Sequence, residues 1–233
     1  MENNGKSVLI VDDNTSIRAM VRSYLKDKGY SVTEAADGIS GLEMALSTQP
    51  GVIVLDVVMP GMDGLTVCHS LREKGVTTPV IMLTEKTEIQ DKVAGFSRGV
   101  DDYLGKPFNL VELELRIEAL FRRSSGAAES AEPVITRGEL AIDPNRHRIT
   151  INDREVILTP MEFSILKFLA SNPGHVYSRQ DILTAIWDTA YEGYKRNIDP
   201  HVNRLRTKIE DDPKNPKYVL TVWGVGYKFN DSL

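Results

Sequence analysis

Through the first half of the chain, short apolar runs alternate with helix-length amphipathic stretches. Ser7–Val11, Val52–Leu55 and Val80–Leu83 are almost wholly Val, Ile, Leu and Met, which predicts strands buried on both faces. Ser31–Ala35 and Asp102–Gly105 complete a set of five. Between them the spacing predicts helices near Thr15–Lys28, Ile39–Thr48, Leu65–Lys74, Glu88–Arg98 and Asn109–Arg123. Five βα units of this length predict an α/β domain: a doubly wound parallel sheet with helices on both faces.

The pattern then changes. Ser124-Ser-Gly-Ala-Ala-Glu-Ser-Ala-Glu-Pro133 is small and polar, a flexible-linker composition. It divides residues 1–123 from residues 134–233. Leu140–Asp143, His147–Ile151 and Arg154–Leu158 predict short antiparallel strands. Thr159-Pro-Met-Glu162 predicts a capping box, with Thr159 at N-cap, Pro160 at N1 and Glu162 at N3, opening a helix to about Ala170. Further helices are expected near Arg179–Trp187 and Ile198–Ile209. Val219–Val222 and Tyr227–Phe229, around Gly224-Val-Gly226, predict a hairpin. Strands, three helices and a hairpin make a winged helix-turn-helix pattern.

Composition adds exclusions. The chain has 233 residues, 41% of them hydrophobic and 26% charged, as expected of a soluble globular protein. No apolar run approaches the roughly 20 residues that cross a bilayer, and no signal-peptide pattern opens the chain. Cys68 is the single cysteine, so neither a disulfide framework nor a thiolate metal cluster is expected, in keeping with a reducing cytoplasm. The net charge of −5 is unlike that of a nucleic-acid binder. The basic character is local: Lys195, Arg196, Arg204, Arg206 and Lys208 fall between residues 195 and 208 with one acid, Asp199.

In an open parallel sheet, function gathers beyond the carboxyl ends of the strands. There the first strand ends in Asp12-Asp13, the third in Asp56, the fourth in Thr84 and the fifth in Lys106-Pro107. Three carboxylates without Cys or His favour a hard, oxygen-ligated cation: Mg²⁺, or another divalent ion such as Mn²⁺. Asp56 could act as nucleophile towards a phosphoryl donor, with the cation and Lys106 neutralising charge and Thr84 hydrogen-bonding the new oxygens. Taken singly, each residue is more often an N-cap or a solvated loop charge, and Asp12 or Asp13 could cap the helix at Thr15, but five of them at four strand ends are not easily accidental.

From Ile198, apolar residues recur at Val202, Leu205 and Ile209, one stripe of a helix. The opposite face carries Arg196, Pro200, Asn203, Arg204 and Thr207, with Arg206 and Lys208 on the flanks. Such a helix can anchor in a core and offer donors to DNA: Arg204 or Arg206 to guanine, Asn203 to adenine, the others to phosphates. Pro200 is tolerated only in a first turn, so the helix should start at Asn197 or later.

Val11-Asp12-Asp13, Asp56, Met59-Pro-Gly-Met-Asp-Gly64, Thr84 and Asp101-Asp-Tyr-Leu-Gly-Lys-Pro-Phe108 resemble the receiver signature of two-component response regulators of the OmpR/PhoB family. The likeness spans nearly the whole chain. It implies a flavodoxin-like (βα)₅ receiver joined to a winged-helix domain, and a transcription regulator rather than an enzyme. By that resemblance Asp56 accepts a phosphoryl group from a sensor histidine kinase. Asp12, Asp13, Asp56 and the backbone carbonyl of Val58 would hold Mg²⁺. Tyr103 matches the switch aromatic that turns inward with Thr84, and Lys106–Pro107 the family's cis peptide. Lys92, Asp101, Glu112 and Arg116 match a surface that forms a two-fold homodimer on phosphorylation. Double-stranded promoter DNA is the implied target, and Asp188–Lys195 matches a loop that meets RNA polymerase.

Three positions depart from the family's pattern. Glu85 stands where a small residue is usual, which predicts slow phosphotransfer or a long-lived phosphoryl group. Gly105 replaces a frequent Thr. Trp223 stands in the wing where Arg commonly enters the minor groove, so it should pack on sugars or on its own domain, with weak dependence on groove width. Two other functions compete with the phosphorylation-dependent regulator. An enzyme on a Rossmann-like sheet is disfavoured, because Asp-Asp-Asn rather than a Gly-rich loop follows the first strand. A constitutive DNA-binding regulator would use the receiver only as a dimerisation scaffold.

Overall fold

The computed structural model of the protein describes residues 6–85, 99–124, 132–186 and 198–233. They fall into two compact units, Met1–Phe121 and Arg122–Leu233. Most of the expected linker, the helix expected at Glu88–Arg98, and Lys92, Arg196 and Asp188–Lys195 lie outside the described residues.

In the first unit, β1 (Ser7–Val11), β2 (Ser31–Ala35), β3 (Val52–Asp56), β4 (Val80–Glu85) and β5 (Asp102–Lys106) form one parallel sheet in the order β2-β1-β3-β4-β5. Strand residues alternate between two cores. Leu9, Val11, Ile53, Leu55 and Met82 pack on one face with α2 (Gly38–Thr48) and α3 (Gly64–Glu73). Val8, Ile10, Val54, Ile81 and Leu83 pack on the other with α1 (Thr15–Asp27) and α4 (Leu110–Ser124). Leu113, Ile117 and Leu120 of α4 are fully buried, each contributing about 1.5–3 kcal/mol. The doubly wound α/β reading holds because these strands are apolar on both sides.

Helix starts follow local chemistry. Asn14 caps α1 by accepting from the amides of Ser16 and Ile17, and Asp37 and Asp63 cap α2 and α3. Asn14, rather than Asp12 or Asp13, therefore takes the capping role and leaves both aspartates to the sheet edge. A Cβ on Gly64 would run into the carbonyl oxygen of Asp56, so this tight return of the chain after β3 requires glycine.

The second unit opens with an antiparallel sheet of β6 (Ile135–Arg137), β7 (Leu140–Asp143), β8 (Arg148–Ile151) and β9 (Arg154–Glu155). β9 ends three residues short of the expected Leu158, and β6 was not foreseen. Helices α5 (Pro160–Ser171), α6 (Arg179–Ile186) and α7 (Asp199–Ile209) enclose one core with the sheets. Thr159 and Glu162 form the capping box: the Thr159 amide donates to Glu162 Oε2 at 2.9 Å and the Glu162 amide to Thr159 Oγ1 at 3.4 Å. A hairpin of β11 (Val219–Val222) and β12 (Gly226–Phe229) pairs with the short β10 (Tyr177–Ser178).

Candidate functional site

At the carboxyl ends of β1, β3 and β5 the charges converge. Lys106 Nζ lies 2.9 Å from Asp12 Oδ2 and 2.9 Å from Asp56 Oδ2. Asp12 is fully buried, its Oδ1 accepting from the Asn14 amide at 2.8 Å. Asp13 is exposed, and carboxylate oxygens of Asp12, Asp13 and Asp56 all lie within 4.8 Å of one another. These hard oxygen donors fit a divalent cation. The Lys106–Pro107 peptide is cis.

Burial pushes the Asp56 carboxyl pKa up, reinforced by the Asp12 charge and opposed by Lys106 and the Val58 amide. For Lys106, burial works against the charge, but the two aspartates outweigh it and raise the pKa. The ammonium thus helps keep Asp56 ionised, the state a nucleophile needs.

Thr84 is buried, and its hydroxyl donates to the Glu85 carbonyl at 3.3 Å. β3–β4 register sets Asp56 beside Leu83, one residue before Thr84, and β4–β5 register sets Thr84 beside Gly105. Glu85 is exposed at the strand end, and Tyr103 is half-buried against the core on the α2–α3 side.

On α7, Ile198, Val202, Leu205 and Ile209 are buried, Pro200 falls in the first turn, and Asn203 and Thr207 are exposed. Arg204, on the face opposite the stripe, and the flanking Arg206 and Lys208 all make contacts within the unit. Arg206 turns inward, 8% exposed, donating from Nε and Nη2 to the Val219 carbonyl and from Nη2 to Thr221 Oγ1 at 2.8 Å. It is a brace between α7 and the hairpin, which corrects its assignment as a base contact. Arg204 and Lys208 pair with the buried Glu162 at 3.4 and 2.8 Å. Trp223 is 90% exposed at the hairpin tip, beside Gly224 at φ +77°, so it does not pack on its own domain.

Residues 8–118 match the response regulator receiver domain, and residues 153–229 match the family described as "Transcriptional regulatory protein, C terminal". The transcriptional regulatory protein ResD of Bacillus subtilis (strain 168) is 42% identical, over 98% of this chain and 97% of its own. The chain belongs to the OmpR/PhoB family of response regulators. Its relative PhoP, the alkaline phosphatase synthesis transcriptional regulatory protein of the same organism, is 39% identical over 97% of each chain. A solved RitR mutant superposes with TM-score 0.74 at 25% identity, covering 97% of this chain and 99% of that one. The family consists of DNA-binding transcriptional regulators, not enzymes. Among the described residues, no helix is long and apolar enough to cross a membrane.

Within this response regulator, of the four residues expected on a dimer surface, Lys92 lies outside the described residues and Asp101, Glu112 and Arg116 are all buried. Asp101 is 1% exposed: its Oδ2 accepts from Arg72 Nη2 and from the Val80 amide, each at 2.9 Å. It is therefore an internal tie between α3 and β5, not a surface charge. Its neighbour Asp102 meets Arg116 at 2.7 Å, and Arg116 also holds Glu112 at 2.6 Å. Sequence reasoning missed Arg72 and Asp102, because both aspartates are buried by arginines 29 and 14 residues away, partners that neighbouring residues do not reveal.

Proposed function

We propose that Asp56 is the phospho-acceptor of this response regulator and that a sensor histidine kinase supplies the phosphoryl group. A bond from an Asp56 oxygen to phosphorus forms as the donor's phosphorus–nitrogen bond breaks. Lys106, in contact with Asp56, balances the incoming charge, and the Thr84 hydroxyl donates to a phosphoryl oxygen once it leaves the Glu85 carbonyl. Tyr103 follows Thr84 inward as the switch. Asp12, Asp13, Asp56 and the Val58 carbonyl would hold Mg²⁺, which when bound supplies further positive charge to the transferring group. The observation that carries this reading is the shared contact of Lys106 Nζ with Asp12 and Asp56.

Phosphorylation then drives pairing of two receivers in the cytoplasm through α4 and β5. Val111 and Leu115 are 51% and 47% exposed there, next to the Glu112–Arg116–Asp102 cluster. Each paired chain brings one α7 to promoter DNA, with Asn203 and Thr207 facing the bases and Arg196, Arg204 and Lys208 the phosphates. RNA polymerase is the further partner. Incubation with acetyl phosphate and Mg²⁺ should label the protein on one residue, produce dimers and tighten DNA binding. Asp56→Asn should abolish all three. Equal labelling of that variant overturns the assignment, and labelling without any change in DNA binding favours the constitutive regulator.

A further inference from the structure

Glu162 does more than a capping box needs. The box requires an acceptor at N3, and a glutamine supplies one as well as a glutamate. Yet this position holds a full charge at 1% exposure, a costly placement unless the charge is paired. Its partners come from 42 and 46 residues away: Arg204 Nε at 3.4 Å from Oε1 and Lys208 Nζ at 2.8 Å from Oε2. These two cations sit one turn apart on α7, beside the exposed Asn203 and Thr207.

We propose that Glu162 is a built-in counter-charge for the DNA-binding helix, one that sets its sequence-independent grip on phosphates. Arg204 and Lys208 together present two positive charges, and Glu162 cancels one of them. Binding that does not depend on sequence comes chiefly from cations that displace counterions, with a salt slope of about 0.9 per phosphate neutralised. Base-edge contacts from Asn203 and Thr207 do not draw on that charge. Glu162 therefore weakens the phosphate grip on any duplex and leaves a larger share of the binding energy at a specific site to its base-edge contacts.

The inference rests on α7 being the DNA-facing element, and the test separates the two. The full chain is titrated by fluorescence anisotropy against a random-sequence duplex and against a duplex selected from a random pool by the wild type. Glu162→Gln keeps an acceptor for the Thr159 amide and removes the charge. It should raise affinity for the random duplex about tenfold at 0.1 M salt and steepen the salt slope by about one phosphate equivalent. The selected duplex should gain by a similar factor, since the same two cations meet its phosphates. Thr159→Ala weakens the same cap without touching the charge, and should lower the melting temperature while leaving the slope alone. An unchanged slope in the Gln variant, or a loss of affinity on either duplex, overturns the proposal.

Lys208→Met provides a comparison that survives a poorly folding Gln variant. In the otherwise wild-type chain it should cost less than about half a phosphate equivalent of slope, because Glu162 already answers that cation. A full unit there counts against the counter-charge. Asn203→Ala tests the placement of DNA itself and should weaken the selected duplex. No effect from it refutes the placement, whereas an effect from it with no slope change in Glu162→Gln refutes the counter-charge alone.

Discussion

Arg206 and Val219 are joined by two hydrogen bonds to one carbonyl, from Nε at 2.9 Å and Nη2 at 2.7 Å. This pair ties α7 to the β11–β12 hairpin, and the guanidinium also lies 5.5 Å from the Tyr227 ring centroid. Arg206→Met should cost about 1.5–3 kcal/mol, the range for hydrogen bonds to a charged group. DNA affinity should fall on all sequences alike, because the brace is lost rather than a base contact. Urea denaturation combined with binding to matched and mismatched duplexes measures both; a loss confined to one base position would restore Arg206 to base reading.

Arg72 spans three partners: the Gly99 carbonyl at 2.9 Å, the Val76 carbonyl at 2.7 Å and Asp101 at 2.9 Å. Arg72→Met strands a buried carboxylate, and removing one partner of such a pair costs about 3–5 kcal/mol. The receiver should unfold at lower denaturant than the C-terminal unit, a separation visible in the chevron or in hydrogen exchange resolved by unit. Asp101→Asn, which keeps an acceptor for the Val80 amide, should cost less.

Gly64→Ala drives a methyl group into the Asp56 carbonyl. The end of β3 must shift, at a cost of about 1–3 kcal/mol. Because that shift moves Asp56 relative to Lys106, phosphorylation by acetyl phosphate should slow at least tenfold, near-attack geometry being sensitive to displacements of about 1 Å. A wild-type rate in a destabilised variant would show that the acceptor tolerates the movement.

Burial, helped by the hydrogen bond from its hydroxyl to Asp199 Oδ1 at 2.9 Å, pushes the Tyr227 pKa from 10.0 up to about 12. The folded state therefore holds this proton more tightly than the unfolded state. The associated stability is complete below pH 10 and drains away as the pH rises towards 12, roughly 2–3 kcal/mol for the C-terminal unit. Tyr227→Phe should flatten this alkaline loss when urea denaturation is compared between pH 9 and pH 12. Tyr30, also raised to about 12, imposes the same trend on the receiver, so the two units are followed by separate probes.

Much of the fold and part of the candidate site are legible in the sequence alone. Strand runs, the capping box at Thr159 and the apolar stripe of α7 are short-range patterns, written within one or two turns of chain. Strand-end positions of Asp12, Asp13, Asp56, Thr84 and Lys106 follow from the same patterns. The two- and three-residue strands β10 and β6 carry too few alternating positions to declare themselves, and β9 stops early because Val156–Leu158 leads into the Thr159 cap.

The sequence by itself determined the parallel doubly wound sheet, the winged-helix unit and the set of groups at the strand-end carboxylate site, because local periodicity and strand order dictate them. Tertiary structure alone decided which charges remain available. Arg206 on the flank of α7 could reach water or turn inward, and its hydrogen bonds to the Val219 carbonyl, thirteen residues on, hold it inside. Asp101 and Asp102 were separated in the same way by Arg72 and Arg116. Long side chains choose among distant partners by desolvation and hydrogen-bond geometry, and neither is written in neighbouring residues.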